Sequence, residues 1–220
     1  GQGAAAAGGG SAEGRKKAYD SLAMHNIDGV IAIGGDGTYT GAGIFSAEYD
    51  IPFIGLPGTI DNDIYGTDYT IGYDTALNTV IDAVDRLKDT ASSHDRLFLI
   101  EVMGRHAGDI AINAGIAVGA EAILIPEKNS NIELLKKFLK EKYKPNQSSG
   151  IILIAEGDDE GGAVEIAKKL QSENLDIDIR VSVLGHIQRG GKPSALDRFL
   201  ASRMGVAAVE AVIAGKRNIT

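Results

Sequence analysis

The sequence predicts an α/β protein, a sandwich of parallel βαβ units with helices on both faces of the sheet. Three observations predict it. Short apolar runs of strand length recur along the chain, and helical stretches lie between them. The first of these runs, 29–34, ends directly in glycines, as a buried strand feeding a tight turn does. Glycine is also abundant, 29 of 220 residues with no collagen period, which places it in loops that approach something closely.

The elements follow in order. Residues 1–12 open with GQGAAAAGGG, an uncharged low-complexity stretch given no function. Residues 13–26 read as a helix, and 29–34 (GVIAIG) as the first strand. Further strands are expected at 53–56, 97–102, 122–125, 150–155 and 180–184. Residues 71–89 form a helix, because Leu77, Val80, Ile81, Val84 and Leu87 recur at spacings of three and four. Residues 195–214 do the same through Leu196, Leu200, Met204, Ala207 and Ala211. The run 133–144 reads as a solvated helix face, and the polar turn 144–150 is a plausible place for two lobes to part.

Composition excludes several classes. With no cysteine there is no disulfide framework, thiolate zinc site, iron–sulfur cluster or cysteine nucleophile. A net charge of -8 opposes general binding to nucleic acid or an anionic membrane. No apolar run approaches a membrane span, and the expected location is cytoplasmic.

Ligands of parallel sheets bind where strands end, so the post-strand residues carry the chemistry. The first loop is Gly34-Gly35-Asp36-Gly37-Thr38, with Gly41 beyond. Glycines let backbone N–H groups approach phosphate, and the helix N-terminus that follows favours negative charge. A carboxylate in such a loop repels phosphate unless a cation lies between, so Asp36 implies Mg²⁺. The loop is neither a Walker loop nor a dinucleotide fingerprint, since the required spacings are absent. The second loop holds Thr59-Ile60-Asp61-Asn62-Asp63. Two carboxylates at i and i+2 can divide labour, one on a metal and one taking a proton from a hydroxyl. An isolated Asp-Asn-Asp would be read as an Asx-turn; its place after a strand and beside a phosphate-type loop favours chemistry. Met103-Gly104-Arg105, Glu156 and Gly185-His186-Ile187-Gln188-Arg189 follow three other strands; Arg96 precedes one of them and Arg180 begins another. A single arginine is usually a surface ion-pair residue, but several at strand boundaries of an acidic chain suggest anion recognition. Together these parts describe phosphoryl transfer to a phosphorylated acceptor.

The segments GGDGTYTGAG, PGTIDNDIYGTDYTIGYDTALNT, SSHDRLFLIEVMGRHAGD and RVSVLGHIQRGGKPSALDR resemble the ATP-dependent phosphofructokinases, with few breaks from about residue 13 to 217. The resemblance implies two Rossmann-like lobes with the active site in the cleft between them, assigned here as a nucleotide and magnesium lobe (13–126) and a sugar-phosphate lobe (127–220). It implies phosphorylation of fructose 6-phosphate at its C1 hydroxyl by ATP, in glycolysis. Asp61 would be the base, Thr59 would orient the hydroxyl, and Arg105 would neutralise transition-state charge. Gly35, Asp36, Gly37, Thr38 and Gly41 would bind ATP, with Asp36 and Asp63 at Mg²⁺. Ile60, Met103, Gly104, Arg105, Glu156, His186, Ile187, Gln188 and Arg189 would line the sugar phosphate. Arg96 and Arg180 would reach a neighbouring subunit's site, implying a homo-oligomer, commonly a tetramer. Pyrophosphate-dependent relatives carry Asp at the position of Gly37 and Lys at that of Gly58, so two glycines favour ATP. A non-catalytic regulatory relative is the alternative from another class; it would be free to lose Asp61, which is present. Lys88 and Glu121 align with nucleotide-effector positions, whereas Pro145-Asn146-Gln147-Ser148-Ser149 replaces the expected basic cluster. The family pattern also includes an opening strand with a glycine-rich loop and continues past Thr220, so the chain is expected to act as a fragment with little turnover alone. His94, His25 and His106 are assigned no chemistry, and Tyr65 and Tyr69 are expected to pack.

Overall fold

The computed structural model describes residues 10–92, 96–128, 132–143, 150–172 and 177–220. His94 and most of the polar turn at 144–150 therefore lie outside the described residues. The chain forms two compact units. The first comprises Gly1–Thr59, Asp63–Gly72 and Ala195–Thr220; the second comprises Ile60–Asn62 and Tyr73–Ser194. This differs from the expected division at 126/127. Two pairings distant in sequence move it: β4 (Arg96–Val102) and β5 (Ala122–Leu124) join the sheet of β6 (Ile151–Ala155) and β7 (Asp178–Val183), which carries Tyr73 onward into the second unit, and the last helix returns to the first.

In the first unit, helix α1 (Ala12–Met24) starts where Ser11 Oγ accepts the Gly14 N–H, so the expected tail gives way to a capped helix before residue 13. Strand β1 (Val30–Gly34) leads into helix α2 (Asp36–Tyr49), then strand β2 (Phe53–Thr59) and the two-residue strand β3 (Ile71–Gly72). The sheet is parallel, in the order β1-β2-β3. Ile71 and Gly72, expected at the start of a helix, are instead paired with Gly58 and Thr59. The carboxylate of Asp197, itself buried, accepts the Gly72 N–H at 2.9 Å. Helix α7 (Ala195–Ile213) buries Ala208 and Ala211 against Ile54 and Leu56, with Met204 at the edge. Leu196, expected on that inward face, is exposed.

The second unit holds a four-stranded parallel sheet, order β5-β6-β4-β7, built from β4 (Arg96–Val102), β5 (Ala122–Leu124), β6 (Ile151–Ala155) and β7 (Asp178–Val183). Side chains alternate across it. Phe98, Ile100, Val102, Ile151, Leu153 and Ala155 face a core made by α3 (Tyr73–Ser92) and α4 (Asp109–Val118). Leu97, Leu99, Ile152 and Ile154 face the opposite core, under α5 (Ile132–Glu141) and α6 (Ala163–Gln171). Helix α3 packs through the residues its periodicity selected. Helix α5 is not merely a solvated face: Leu135 and Leu139 are buried, four residues apart on one stripe. A 3₁₀ turn (Gly185–Arg189) follows β7.

No helix among the described residues is long and apolar enough to cross a membrane.

Candidate active site

In the first unit the phosphate-type loop is shorter than expected. Gly34 ends β1 and Gly35 caps α2, so Asp36, Gly37 and Thr38 form the first helical turn. A Cβ on Gly34 would lie 2.2 Å from Thr38 Oγ1, which leaves glycine as the residue that fits. Gly35 has no side chain to cap the helix, and its carbonyl accepts the Thr38 and Tyr39 N–H groups. The Asp36 and Gly37 amides are first-turn donors without an intrahelical acceptor, the arrangement that receives anions. Asp36 is exposed, and a Cβ added at Gly37 would meet nothing within 4 Å. Gly41 lies one turn further on. With Thr38 it lines an apolar cavity of about 590 Å³, bounded also by Ala18, Leu22, Phe45 and Phe53.

Strand β2 runs beside this turn, with Gly34 in register with Pro57. A Cβ on Gly58 would approach Ile33 Cγ2 at 2.9 Å, so a side chain there would have to displace the Ile33 side chain of β1. Thr70 Oγ1 donates to the Thr59 carbonyl at 2.7 Å and fixes the strand end. The chain then enters the second unit for three residues. Ile60 is partly buried and packs its side chain against the core. Asp61 is half-buried, with Oδ1 sealed from solvent. Asn62 takes a left-handed conformation (φ 54°), which Asn tolerates better than most residues. Asp63 returns to the first unit and is exposed. Tyr65 is fully exposed and Tyr69 half-exposed, so neither packs as expected.

In the second unit three strand-end loops are tied together. After β4, Gly104 (φ 146°) and Arg105 (φ 58°) make a tight turn, in which a Cβ on Gly104 would strike the Ala107 carbonyl oxygen at 2.3 Å. The Arg105 N–H donates to Glu156 Oε1, after β6, at 2.9 Å. Gly157 lets the same loop lie against the Arg105 carbonyl, where a Cβ would stand 2.1 Å away. The Met103 N–H donates to Gln188 Oε1 at 3.1 Å, linking the turn after β7. Arg105, Glu156, His186, Ile187 and Arg189 keep their side chains at the surface. Gln188 does not: it is 1% exposed, and both ends of its amide bond backbone groups. Its expected contact with substrate is therefore corrected to a buried, internal one. His106 is exposed, and His25 caps α1 through a contact with the Ser21 carbonyl. Lys88 Nζ donates to the Val118 carbonyl at the C-terminus of α4.

Sequence reasoning missed Asp178. In parallel register it stands opposite Arg96, and two residues before Arg180 on the same face of β7. Arg180 grips it through two nitrogens, Nε at 2.9 Å and Nη2 at 3.0 Å, and Arg96 Nε joins at 3.0 Å. Arg180 first, and then Arg96, hold the Asp178 carboxyl below the usual carboxylate range. The alternation Asp-Ile-Asp-Ile-Arg at 176–180 was the available signal, since it marks a one-sided strand with acid and base on its open face.

Two groupings result. Gly35, Asp36, Gly37, Thr38, Gly41, Thr59 and Asp63 belong to the first unit; Asp61, Arg96, Arg105, Glu156, Arg180, His186 and Arg189 belong to the second. No cluster of three or more acidic or histidine side chains suited to a metal occurs among the described residues. One or two carboxylates such as Asp36 and Asp63 still fit Mg²⁺, which takes the rest of its shell from water and substrate phosphates.

Parallel sheets with glycine-built and charged loops at the strand ends define an α/β protein of the class whose ligands bind at strand ends. Comparison narrows this class. The phosphofructokinase family profile matches residues 6–212, and the chain belongs to the phosphofructokinase family. It is 54% identical over 207 residues to the ATP-dependent 6-phosphofructokinase 2 of Bacteroides thetaiotaomicron, covering 94% of this chain and 64% of that one. The structure of phosphofructokinase from Saccharomyces cerevisiae matches with a TM-score of 0.83 at 37% identity, over 92% of this chain and 31% of that one. A pyrophosphate-dependent phosphofructokinase from Marinobacter aquaeolei matches with a TM-score of 0.78 at 26% identity, over 94% of this chain and 57% of that one. The chain thus spans just under two thirds of the length of the Bacteroides relative.

Proposed function

We propose that the complete protein transfers the γ-phosphoryl group of ATP to the C1 hydroxyl of fructose 6-phosphate. The products are fructose 1,6-bisphosphate and ADP, the reaction expected of a cytoplasmic glycolytic enzyme. The observation that carries this reading is the tied set of loops holding Arg105, Glu156, His186 and Arg189 beside one another at the strand ends of one sheet. Such a set suits a phosphorylated, hydroxyl-bearing acceptor, since guanidinium grips phosphate and carboxylate accepts from hydroxyls.

In this reading Asp61 accepts the C1 hydroxyl proton as the oxygen attacks the γ-phosphorus. The bond from that phosphorus to the β-phosphate oxygen breaks, and ADP leaves. Thr59 orients the hydroxyl, and Arg105 offsets charge that develops on the transferred group. The first-turn amides after Gly35 cradle the donor's phosphates, beside the apolar cavity at Thr38 and Gly41, which suits a nucleoside. Asp36 and Asp63 would hold Mg²⁺, which supplies charge neutralisation when bound. Open space at Gly37 and the crowding at Gly58 both favour ATP over pyrophosphate. Arg96 and Arg180 extend the site of a second copy in an oligomer, taken as a tetramer, and Lys88 and Glu121 are the residues to examine for effector control.

A coupled assay on the complete protein, with ATP and pyrophosphate compared, tests the reading. Replacing Asp61 with Ser should depress turnover by about 10²–10⁴-fold while KM for fructose 6-phosphate moves only a few-fold. A variant that kept its rate would remove Asp61 from the mechanism, and preferential use of pyrophosphate would overturn the donor assignment.

A further inference from the structure

We propose that Gln188 is the positioning residue that sets the register between the two basic turns of the sugar-phosphate site. This rests on the proposed function above, and it assigns a role to a side chain that itself touches no ligand.

Strands β4 and β7 run as a parallel ladder up to Glu101 and Val183, and the Leu184 N–H still reaches the Glu101 carbonyl at 3.1 Å. There β7 stops. Gly185 turns into the left-handed region (φ 52°) and the chain coils into the 3₁₀ turn. The next donor facing β7, one residue past the end of β4, is the N–H of Met103, a residue 7% exposed. With β7 gone, a buried N–H at this point would be costly if left unmatched. The Gln188 side chain folds back and takes the place of the missing rung. Its Oε1 accepts the Met103 N–H at 3.1 Å, and its Nε2 donates to the Gly185 carbonyl at 3.0 Å. An amide is the side chain that can both accept from the strand and donate to its own turn at this reach.

The consequence is geometric. Met103 begins the turn that carries Arg105, and Gln188 lies between His186 and Arg189. One buried amide therefore couples the backbone of both turns. Arg105 is also bonded through its own N–H to Glu156, so the tie extends to the third loop. Side chains that must meet a single sugar phosphate lose rate and affinity when their supports shift by an ångström.

The test is kinetic, on the complete protein with fructose 6-phosphate and ATP. Gln188→Met keeps the length and removes both bonds. Its KM for fructose 6-phosphate should rise roughly tenfold, with KM for ATP within about twofold. Arg189→Ala serves as the control. If Arg189→Ala leaves the sugar-phosphate KM unchanged, the reading of these turns as a phosphate grip fails first. If Arg189→Ala raises it and folded Gln188→Met does not, or shifts both substrates equally, the positioning role is overturned. A separate measurement needs no variant: the Met103 amide should exchange slowly with deuterium in the unliganded protein, and rapid exchange would overturn the tie.

Discussion

Strands β1 and β6 are both five residues long, parallel and written almost wholly in aliphatic residues, yet they meet opposite fates. Every residue of β6 (Ile151–Ala155) is buried, because helices cover both faces and β4 and β5 flank it. Strand β1 (Val30–Gly34) lies at the edge of its sheet, with Ile31 41% and Ile33 65% exposed. Composition announces a parallel strand, but its neighbours decide how much it stabilises. The same contrast runs through the chemistry. The turn at Gly37 leaves open space, whereas the turns after β4, β6 and β7 are tied to one another through the Gln188 and Glu156 side chains.

The largest effect should come from testing this contrast in the cores. Leu153→Ala should destabilise the protein by about 2–5 kcal/mol, because a sealed site cannot refill, while Ile33→Ala should cost under about 1 kcal/mol. Denaturant melts of the two variants measure the gap, and equal losses would break the comparison. Next comes the open turn. Gly37→Asp should raise KM for ATP at least about tenfold, since a second carboxylate would enter the space a phosphate chain needs. Steady-state kinetics with varied ATP checks it. The smallest effect is expected at the exposed trio Arg96–Asp178–Arg180. Asp178→Asn should change KM for fructose 6-phosphate only a few-fold, because exposed ion pairs are weak and screened by salt. The sign with pH follows from the cause. A carboxyl held low by two arginines keeps its pairing above the ordinary carboxylate range and loses it only as pH falls through the lowered value. That KM should therefore show no contribution from Asp178 between about pH 6 and 9, and a titration across that range checks it.

The six longer strands were legible as short runs of strand-forming residues bounded by breakers, continuous and buried in β6, alternating and mostly exposed in β7. Strand β3 was not, since Ile71 and Gly72 are too few to make a pattern and owe their state to rungs on β2. The helix face of α3 could be read from its spacing; α7 keeps Met204 and Ala211 of its expected stripe inward, but Leu196 is exposed and Ala208 takes a buried place against Ile54 and Leu56. The strand-end positions of the candidate residues were legible, because each loop follows its own strand directly. Gln188 and Asp178 could not be given their roles, since what they do depends on which strands become neighbours.

The first unit is closed by its most distant residues. The Asn218 N–H bonds the Phe53 carbonyl at 2.8 Å and the Gly55 N–H bonds the Ile219 carbonyl at 2.7 Å. During synthesis, the stretch Tyr73–Ser194 can therefore collapse as soon as it leaves the ribosome, while β2 waits for the segment that will cover it. A nascent chain in that interval carries an unsheltered aliphatic strand, and it is there that chaperone contact or premature aggregation should concentrate.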